Sequence, residues 1–253
     1  MADKSPTHAD FKSLTYEGFR KLAQDSALSP YEKIGFPDSY RAGKEEAIYG
    51  DLLAKMPALA RKASRVVDIG AGCSDLPRML VRNAETLGQR LAFIDSAEML
   101  ALNAHSPALE KIAGKFPDCA DFIGDNAGRA DAVIVYSVFH YVFAEGDTWR
   151  FLDAALSLLA PGGALLIGDI PNLSKRRRFF ASAAGKKFHR EYTGRDEDPV
   201  VEHNRLDPDE IDDSVVFALL ARARLQGFDG YVMPQPPELP MANRREDVLI
   251  IRP

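Results

Sequence analysis

Cysteine is scarce in this chain. Cys73 and Cys119 are the only two in 253 residues, far apart and without metal-ligand spacing. Their number excludes a disulfide framework and a cysteine-built zinc site. They read as two small buried thiols in a reducing compartment, which makes a cytoplasmic location the expectation. Long apolar runs are missing too. None is long enough to span a bilayer, and the polar N-terminal residues do not have the form of a signal peptide. An excess of positive charge is also absent. Lys and Arg total 32 against 37 Asp and Glu, a net charge of -5, which argues against a general binder of nucleic acid or anionic membrane. Neither an internal repeat nor a low-complexity linker interrupts the chain. What is present, 46% hydrophobic and 27% charged residues, is the composition of an ordinary globular protein, long enough to bury a full core in one domain with additions.

The stretch that organises the rest is Val66-Val67-Asp68-Ile69-Gly70-Ala71-Gly72-Cys73-Ser74-Asp75. Its β-branched start predicts a buried strand that stops at two glycines. The residues that follow, Leu76, Pro77, Met79, Leu80 and Val81, have helical spacing, with Ser74 or Asp75 placed to cap the helix. Strand, glycine turn and helix form a nucleotide site in a wound α/β sheet, where backbone passes close to the ligand. A dinucleotide fingerprint would require a third glycine at position 75, where Asp75 stands instead. Carboxylates at Asp68 and Asp75 repel a pyrophosphate and suit a ligand that carries positive charge. The stretch resembles motif I of the class I S-adenosylmethionine (SAM)-dependent methyltransferases, acidic-x-Gly-x-Gly-x-Gly, and departs from it at the third glycine, which is Ser74.

Upstream, Met1–Asp10 is polar and expected to fray, and Phe11, Leu14, Phe19 and Leu22 predict an amphipathic helix from Phe11 to Gln24. Residues Ser29 to Arg41 are aromatic-rich but broken by proline and glycine, and so are expected to form an ordered loop. That loop is either a cap over the sheet or a lid that brings Tyr31, Tyr40 and Arg41 to the site, with Arg41 suited to a carboxylate or phosphate. A helix from Lys44 to about Met56 leads into the first strand. Downstream, Arg90–Asp95 reads as a second strand ending in a carboxylate. Asp95 is placed to bind the hydroxyls of a ribose, to cap a helix Ala97–Asn103 with Glu98 completing a capping box, or to do both. Phe122–Asn126 is expected as a short third strand, and Asp131–Ser137, running on into Val138–Val142, as the fourth. A helix from Trp149 to Leu159 and a fifth strand from Ala164 to Pro171 follow.

Asp95-Ser96-Ala97-Glu98 and Leu158-Leu159-Ala160-Pro161-Gly162-Gly163-Ala164-Leu165 are similar to further segments of the same family, in the same order, so the resemblance spans about Val66 to Pro171. It implies an α/β fold with a doubly wound, seven-stranded, mostly parallel sheet and SAM as cofactor, leaving S-adenosylhomocysteine (SAH). It further implies Asp68, Gly70 and Gly72 at the methionine end of SAM, Asp95 and Ser96 at the ribose, Asp125 and Asn126 at the adenine, and Tyr136 beside the methyl group.

Beyond Pro171 the composition shifts. Lys175-Arg176-Arg177-Arg178 opens a basic stretch running to Arg195, and an acidic stretch from Asp196 through Asp207 and Asp209 to Asp213 follows it. Either the two pair with one another, or the stretch binds the acceptor through residues such as Arg177, Arg178, His189 and His203. Val215–Leu225 predicts a helix, and Gly230–Met233 with Asp247–Ile251 predicts a closing pair of strands. The organisation expected is a helical lid segment over 1–60 and a SAM-binding domain over 61–253, with 172–213 an insertion on the acceptor side.

The reaction implied is methyl transfer to a small molecule by in-line displacement. A hydroxyl acceptor would benefit from a base, for which His140, Asp169, His189 and His203 are the candidates. Tyr136-Ser137-Val138-Phe139 lacks the motif of adenine-amino methyltransferases, and it has no acid for a metal-dependent catechol reaction, so no metal is expected. The basic stretch suggests an anionic acceptor, such as a sugar or sugar-phosphate of a surface polysaccharide. The competing readings are an NAD(P)-binding oxidoreductase, which Asp75 disfavours, and a non-catalytic SAM-binding or interaction protein.

Overall fold

The computed structural model of the chain describes residues 14–253, apart from 206 and 209. The expectations for Met1–Asp10, for a helix start at Phe11 and for Asp209 therefore lie outside the described residues. Strands β1 (Arg65–Ile69), β2 (Arg90–Asp95), β3 (Leu109–Ala113), β4 (Ala130–Tyr136), β5 (Leu159–Pro171), β6 (Asp229–Pro234) and β7 (Arg245–Ile251) form one sheet, ordered β3-β2-β1-β4-β5-β7-β6. The neighbours from β3 to β5 are parallel, and β7 alone runs against both β5 and β6. The doubly wound, seven-stranded, mostly parallel sheet expected from the sequence is present.

Alternation along the central strands sorts side chains onto two faces. Val67, Ile69, Val133, Val135 and Ile167 pack on one side with Phe151, Leu152 and Leu219. Val66, Ile134, Tyr136 and Leu166 pack on the other with Ile48, Leu52, Leu80 and Phe93. Each fully buried side chain of this size contributes about 1.5–3 kcal/mol. The helices that supply these partners are α4 (Glu45–Lys55) and α5 (Asp75–Leu87) on one face, and α9 (Thr148–Ser157) and α12 (Asp213–Leu225) on the other. The parallel register aligns Ile69 with Ile94 and Asp68 with Ile134, which brings the carboxyl ends of β1, β2 and β4 to one edge.

Ahead of the sheet lie α1 (Tyr16–Gln24), α2 (Pro30–Lys33) and α3 (Asp38–Arg41). The stretch expected as loop thus contains two helical turns. Ser29 caps α2 through the Glu32 N–H while the Glu32 carboxylate accepts from the Ser29 N–H, and Pro30 fits the first helical position.

The remaining helices are α6 (Ala97–Ala101), α7 (Ala120–Asn126), α8 (Phe139–Ala144), α10 (Leu173–Ala181) and α11 (Ala183–Thr193). Three further expectations are corrected here. The third strand is Leu109–Ala113, and Phe122–Asn126 belongs to α7. The run Val138–Val142 does not extend β4 but enters α8, because Ser137 takes a positive φ of 61° and turns the chain off the sheet. Ser96, not Asp95, caps α6, accepting from the Met99 N–H at 3.1 Å. No helix of the described residues is long and apolar enough to cross a membrane.

Candidate functional site

The glycine turn after β1 is held open by its backbone. Gly70 and Gly72 have φ of 76° and 69°, and an added Cβ would lie 2.5 Å from a Val138 methyl and 2.7 Å from an Ile34 methyl, respectively. Side chains are excluded there by conformation and by space alike. The Gly72 N–H donates to Asp95 Oδ2 at 3.0 Å and the Ser96 N–H to Oδ1 at 2.7 Å, so the Asp95 carboxylate ties the end of β1 to the end of β2. Asn103 Nδ2 donates to the Gly72 carbonyl at 2.8 Å and steadies the turn from the other side.

These elements border a cleft of about 140 Å³ with an open mouth. Its sheet side carries Asp68, Gly70, Gly72, Asp95, Tyr136 and Ser137, and Gly114, Lys115 and Phe116 extend it past β3. Tyr16 and Phe19 of α1, with Ile34 and Phe36 around α2, close it from above. The α1 roof is fastened to α6 by Arg20, whose guanidinium donates to Glu98 at 2.7 and 3.1 Å. Asp68 is 3% exposed and has no hydrogen-bond partner among the described residues. Burial, then the nearby Asp95 charge, push its pKa up to about 8. Asp95 is raised to about 6 by burial, against the two N–H groups that favour its charged form. Two buried carboxylates, one without a donor, give this cleft a demand for positive charge and hydrogen-bond donors.

Beneath the ends of β4 and β5 lies a buried network of charges. Asp169, at a φ of 61°, accepts from Ser137 Oγ at 2.6 Å and from Arg245 Nη1 at 2.6 Å. Arg41 bonds Glu45 at 2.7 Å and Ser137 Oγ at 3.1 Å, with Asp169 at 3.9 Å. Asp247, fully buried, accepts from the Asp169 N–H at 2.8 Å and pairs with Lys55 at 2.7 Å. The network joins α3, α4, β5 and β7 under Ser137.

A second cleft, about 570 Å³, opens beside the first. Tyr141 lines both. Its wall includes Tyr40, His140, Arg176, Phe180, His189, Tyr192 and Arg244.

The structure brings together Asp68, Gly70, Gly72, Asp95, Tyr136 and Arg41 at the first cleft, and Tyr40, His140 and His189 at the second. Other expected site residues fall elsewhere. Asp125 is exposed and Asn126 half-buried on α7, and neither lines the first cleft, since the segment is a helix beyond the true third strand. Ser96 lies under the cleft as a helix cap. Tyr31 donates to Asp75 Oδ2 at 3.0 Å and fastens α2 to α5 instead of reaching the ligand space. Arg41 faces the cleft, but its guanidinium is committed to Glu45 and Ser137. Asp169 lines neither cleft and is held by Ser137 and Arg245, which removes it as a free base. Arg177 donates to Asp207 at 2.9 Å and Arg178 to Asp213 at 2.5 Å, so these two belong to pairing between the basic and acidic stretches. His203 is exposed in irregular chain away from both clefts. Tyr16, Lys115, Phe116, Ser137, Tyr141 and Arg244, which no sequence motif marks, also line the clefts. For Lys115 and Phe116 the signal was the true β3, and for Ser137 its place just after a clear strand.

No family model matches the chain. Over 133 residues, 51% of this chain, the sequence is 32% identical to chondramide synthase cmdD of Chondromyces crocatus, and the match spans only 3% of that protein. Among solved structures, a phosphoethanolamine N-methyltransferase 1 of Haemonchus contortus, bound to phosphoethanolamine and SAH, superposes with a TM-score of 0.57 at 16% identity, covering 97% of this chain and 50% of that one. The plantazolicin methyltransferase BamL, in complex with a triazolic desmethylPZN analogue and SAH, gives 0.54 at 12% identity over 98% and 99% of the two chains. A Rhodobacter sphaeroides structure assigned provisionally to the Zn-dependent alcohol dehydrogenases gives 0.52 at 17% identity over 93% and 99%. At such identities the likeness is one of fold.

Proposed function

We propose that this chain, which has the class I methyltransferase fold, is a SAM-dependent methyltransferase acting on a small molecule. The observation that carries the proposal is Asp68: a carboxylate 3% exposed, without a partner among the described residues, on the wall of the cleft beside Gly70 and Gly72. The ammonium and sulfonium of SAM answer that demand, whereas a pyrophosphate would add negative charge next to Asp68 and Asp95. This weighs against the NAD(P) reading, although one structure of similar fold is assigned to the alcohol dehydrogenases.

Asp68 and the glycine turn hold the methionine end. Asp95, whose oxygens each keep a lone pair beyond the bonds to Gly72 and Ser96, accepts from ribose hydroxyls. Lys115 and Phe116 take over at the adenine end, the place the sequence had suggested for Asp125 and Asn126. When bound, SAM supplies a methyl group activated by its sulfonium: an acceptor lone pair forms the new bond, the carbon–sulfur pair stays on sulfur as SAH, and an X–H acceptor releases its proton. Ser137, fixed by Arg41 and Asp169, shapes the floor between the clefts, and Tyr141 stands where they meet. The roof from α1 and α2 excludes water during transfer. His140, on the second cleft, is the base candidate best placed for a hydroxyl acceptor, and His189 lines the same wall.

The acceptor enters through the second cleft. The sugar-phosphate reading draws on the basic stretch from Lys175 to Arg195, which includes Arg177 and Arg178. With those two paired to Asp207 and Asp213, support for an anionic acceptor moves to Arg176 and Arg244 on the cleft wall. The small-molecule reading draws on the two SAH-bound structures of like fold, one holding phosphoethanolamine and the other a plantazolicin analogue. The shortage of cysteine supports a reducing, cytoplasmic setting. Residues 172–213, carrying α10 and α11, form the acceptor side of this arrangement, and residues before 61 carry its roof.

Thermal shift tests the cofactor. SAH at a hundredfold excess over its Kd adds about 2.7 kcal/mol to stability and raises Tm. NADH at the same concentration leaves Tm unchanged. The opposite ranking would replace the proposal with the oxidoreductase reading.

A further inference from the structure

We infer that the second cleft recognises an aromatic carboxylate, its planar ring against Phe180, Phe188 and Tyr192 and its carboxylate on Arg244. The inference rests on the SAM reading of the first cleft for its meaning as acceptor recognition. The binding itself stands on the second cleft alone.

Arg244 is the first observation. It is half-buried on the cleft wall, and its guanidinium has no hydrogen bond or ion pair among the described residues. Its neighbours are accounted for. Arg245 is bonded to Asp169, Arg177 to Asp207 and Arg178 to Asp213. Arg176 lies over the Phe180 ring at 5.8 Å on the same wall. Burial, followed by repulsion from Arg176, lowers the pKa of Arg244, with Arg245 adding to the effect. Glu210 is the only carboxylate among the described lining residues. A partly desolvated cation beside like charges gains from an anion that its forked donors can grip at two points.

The second observation is the aromatic wall. Phe188 and Tyr192 are stacked at 10° with centroids 6.0 Å apart, and Phe180 meets Phe188 at 6.2 Å. Tyr192 is 73% exposed, so its ring is open to a ligand at the rim of the cleft. It lies close to Tyr40, so a residue of the N-terminal segment and one of α11 meet at the rim. Flat rings favour offset stacking with a flat ligand. An aliphatic phosphate would use the arginines but leave this wall unused. Tyr141, shared by both clefts, lies at the side where the ring's far substituent approaches the cofactor.

The test is a fluorescence titration of the whole protein with 6-hydroxy-2-naphthoate and with its neutral counterpart, 6-hydroxy-2-naphthamide. The carboxylate is expected to bind about tenfold or more tighter than the amide, the worth of one charge-assisted contact. Arg244→Gln is expected to abolish that preference. Tyr192→Ala, an exposed position that leaves the core intact, weakens both ligands several-fold. Equal affinity of the two ligands for the wild-type protein overturns the inference, as does a preference that survives in folded Arg244→Gln. Unchanged affinities in Tyr192→Ala overturn the aromatic half. SAH titrated into the same wild-type sample reports the cofactor reading separately. Carboxylate preference without SAH binding keeps the cleft and removes its role as acceptor site. SAH binding without carboxylate preference removes the inference alone.

Discussion

Asp169→Asn removes one negative charge from beneath two buried guanidiniums. Asp169 is 3% exposed, Arg245 4% and Arg41 3%, so water cannot make good the loss. The carboxylate accepts at 2.6 Å from both Arg245 and Ser137, with Arg41 at 3.9 Å. Asparagine keeps a carbonyl for one of these donors and tolerates the φ of 61° found at this position, so the substitution isolates the charge. Removing one partner of a buried pair costs about 3–5 kcal/mol, because the remaining ion stays buried. For a chain of this size that lowers Tm by roughly 6–20 °C. Asp169→Ala should cost about 1–2 kcal/mol more, the penalty of a left-handed conformation in an ordinary residue. Urea denaturation followed by circular dichroism would measure both variants. An Asp169→Asn protein within about 0.5 kcal/mol of wild type, the range of an ordinary surface substitution, would refute the reasoning, leaving the network without a structural role.

Three further outcomes follow from the clefts. Asp95→Asn should weaken SAM binding by about 1.5–3 kcal/mol while the protein stays folded, and unchanged calorimetric affinity would remove Asp95 from the site. Burial and Asp95 push the Asp68 carboxyl up to about 8, above its unfolded value of 3.8, so its contribution to stability is complete below about pH 4 and is lost as pH rises through 8. A bound cation favours the charged form, so SAM binding at pH 7 should release a proton and tighten from pH 6 to 8. Calorimetry in buffers of different ionisation enthalpy would detect the release, and its absence would contradict the placement of charge at Asp68. The double variant Arg177→Gln and Arg178→Gln should leave SAM affinity and acceptor kinetics unchanged. A raised acceptor KM would return these arginines to the acceptor site.

The legible parts of the sequence were those with one strong local signal. The apolar β-branched runs of β1 and β4 and the glycine pair after β1 identified the centre of the sheet. The Arg-Leu-Ala-Phe-Ile-Asp run placed Asp95 at the end of β2. Strand β3 was hidden because it is an edge strand: Leu109-Glu110-Lys111-Ile112-Ala113 carries two charges that suit a half-exposed edge and blur the alternation. Phe122-Ile123 has a stronger apolar signal, but the pair belongs to the short helix α7. The region before the sheet held a readable signal, Ser29 and Glu32 three residues apart with Pro30 between them, but the prolines and glycines outweighed it. The turn at Ser137 escaped notice because a serine with positive φ has no mark in sequence, and it is tertiary bonding to Arg41 and Asp169 that holds it. Arg177 and Arg244 look alike in the chain. Only the fold shows that one meets Asp207 and the other faces a cleft.

A crystal structure of the protein with SAH bound tests the central claim most directly. The account predicts the amino-acid end of SAH against Asp68 and the Gly70–Gly72 turn, its ribose hydroxyls on Asp95, its base beside Lys115 and Phe116, and its sulfur turned toward Ser137 and Tyr141. A purine lodged against Asp68, or SAH ordered outside this cleft, would contradict it.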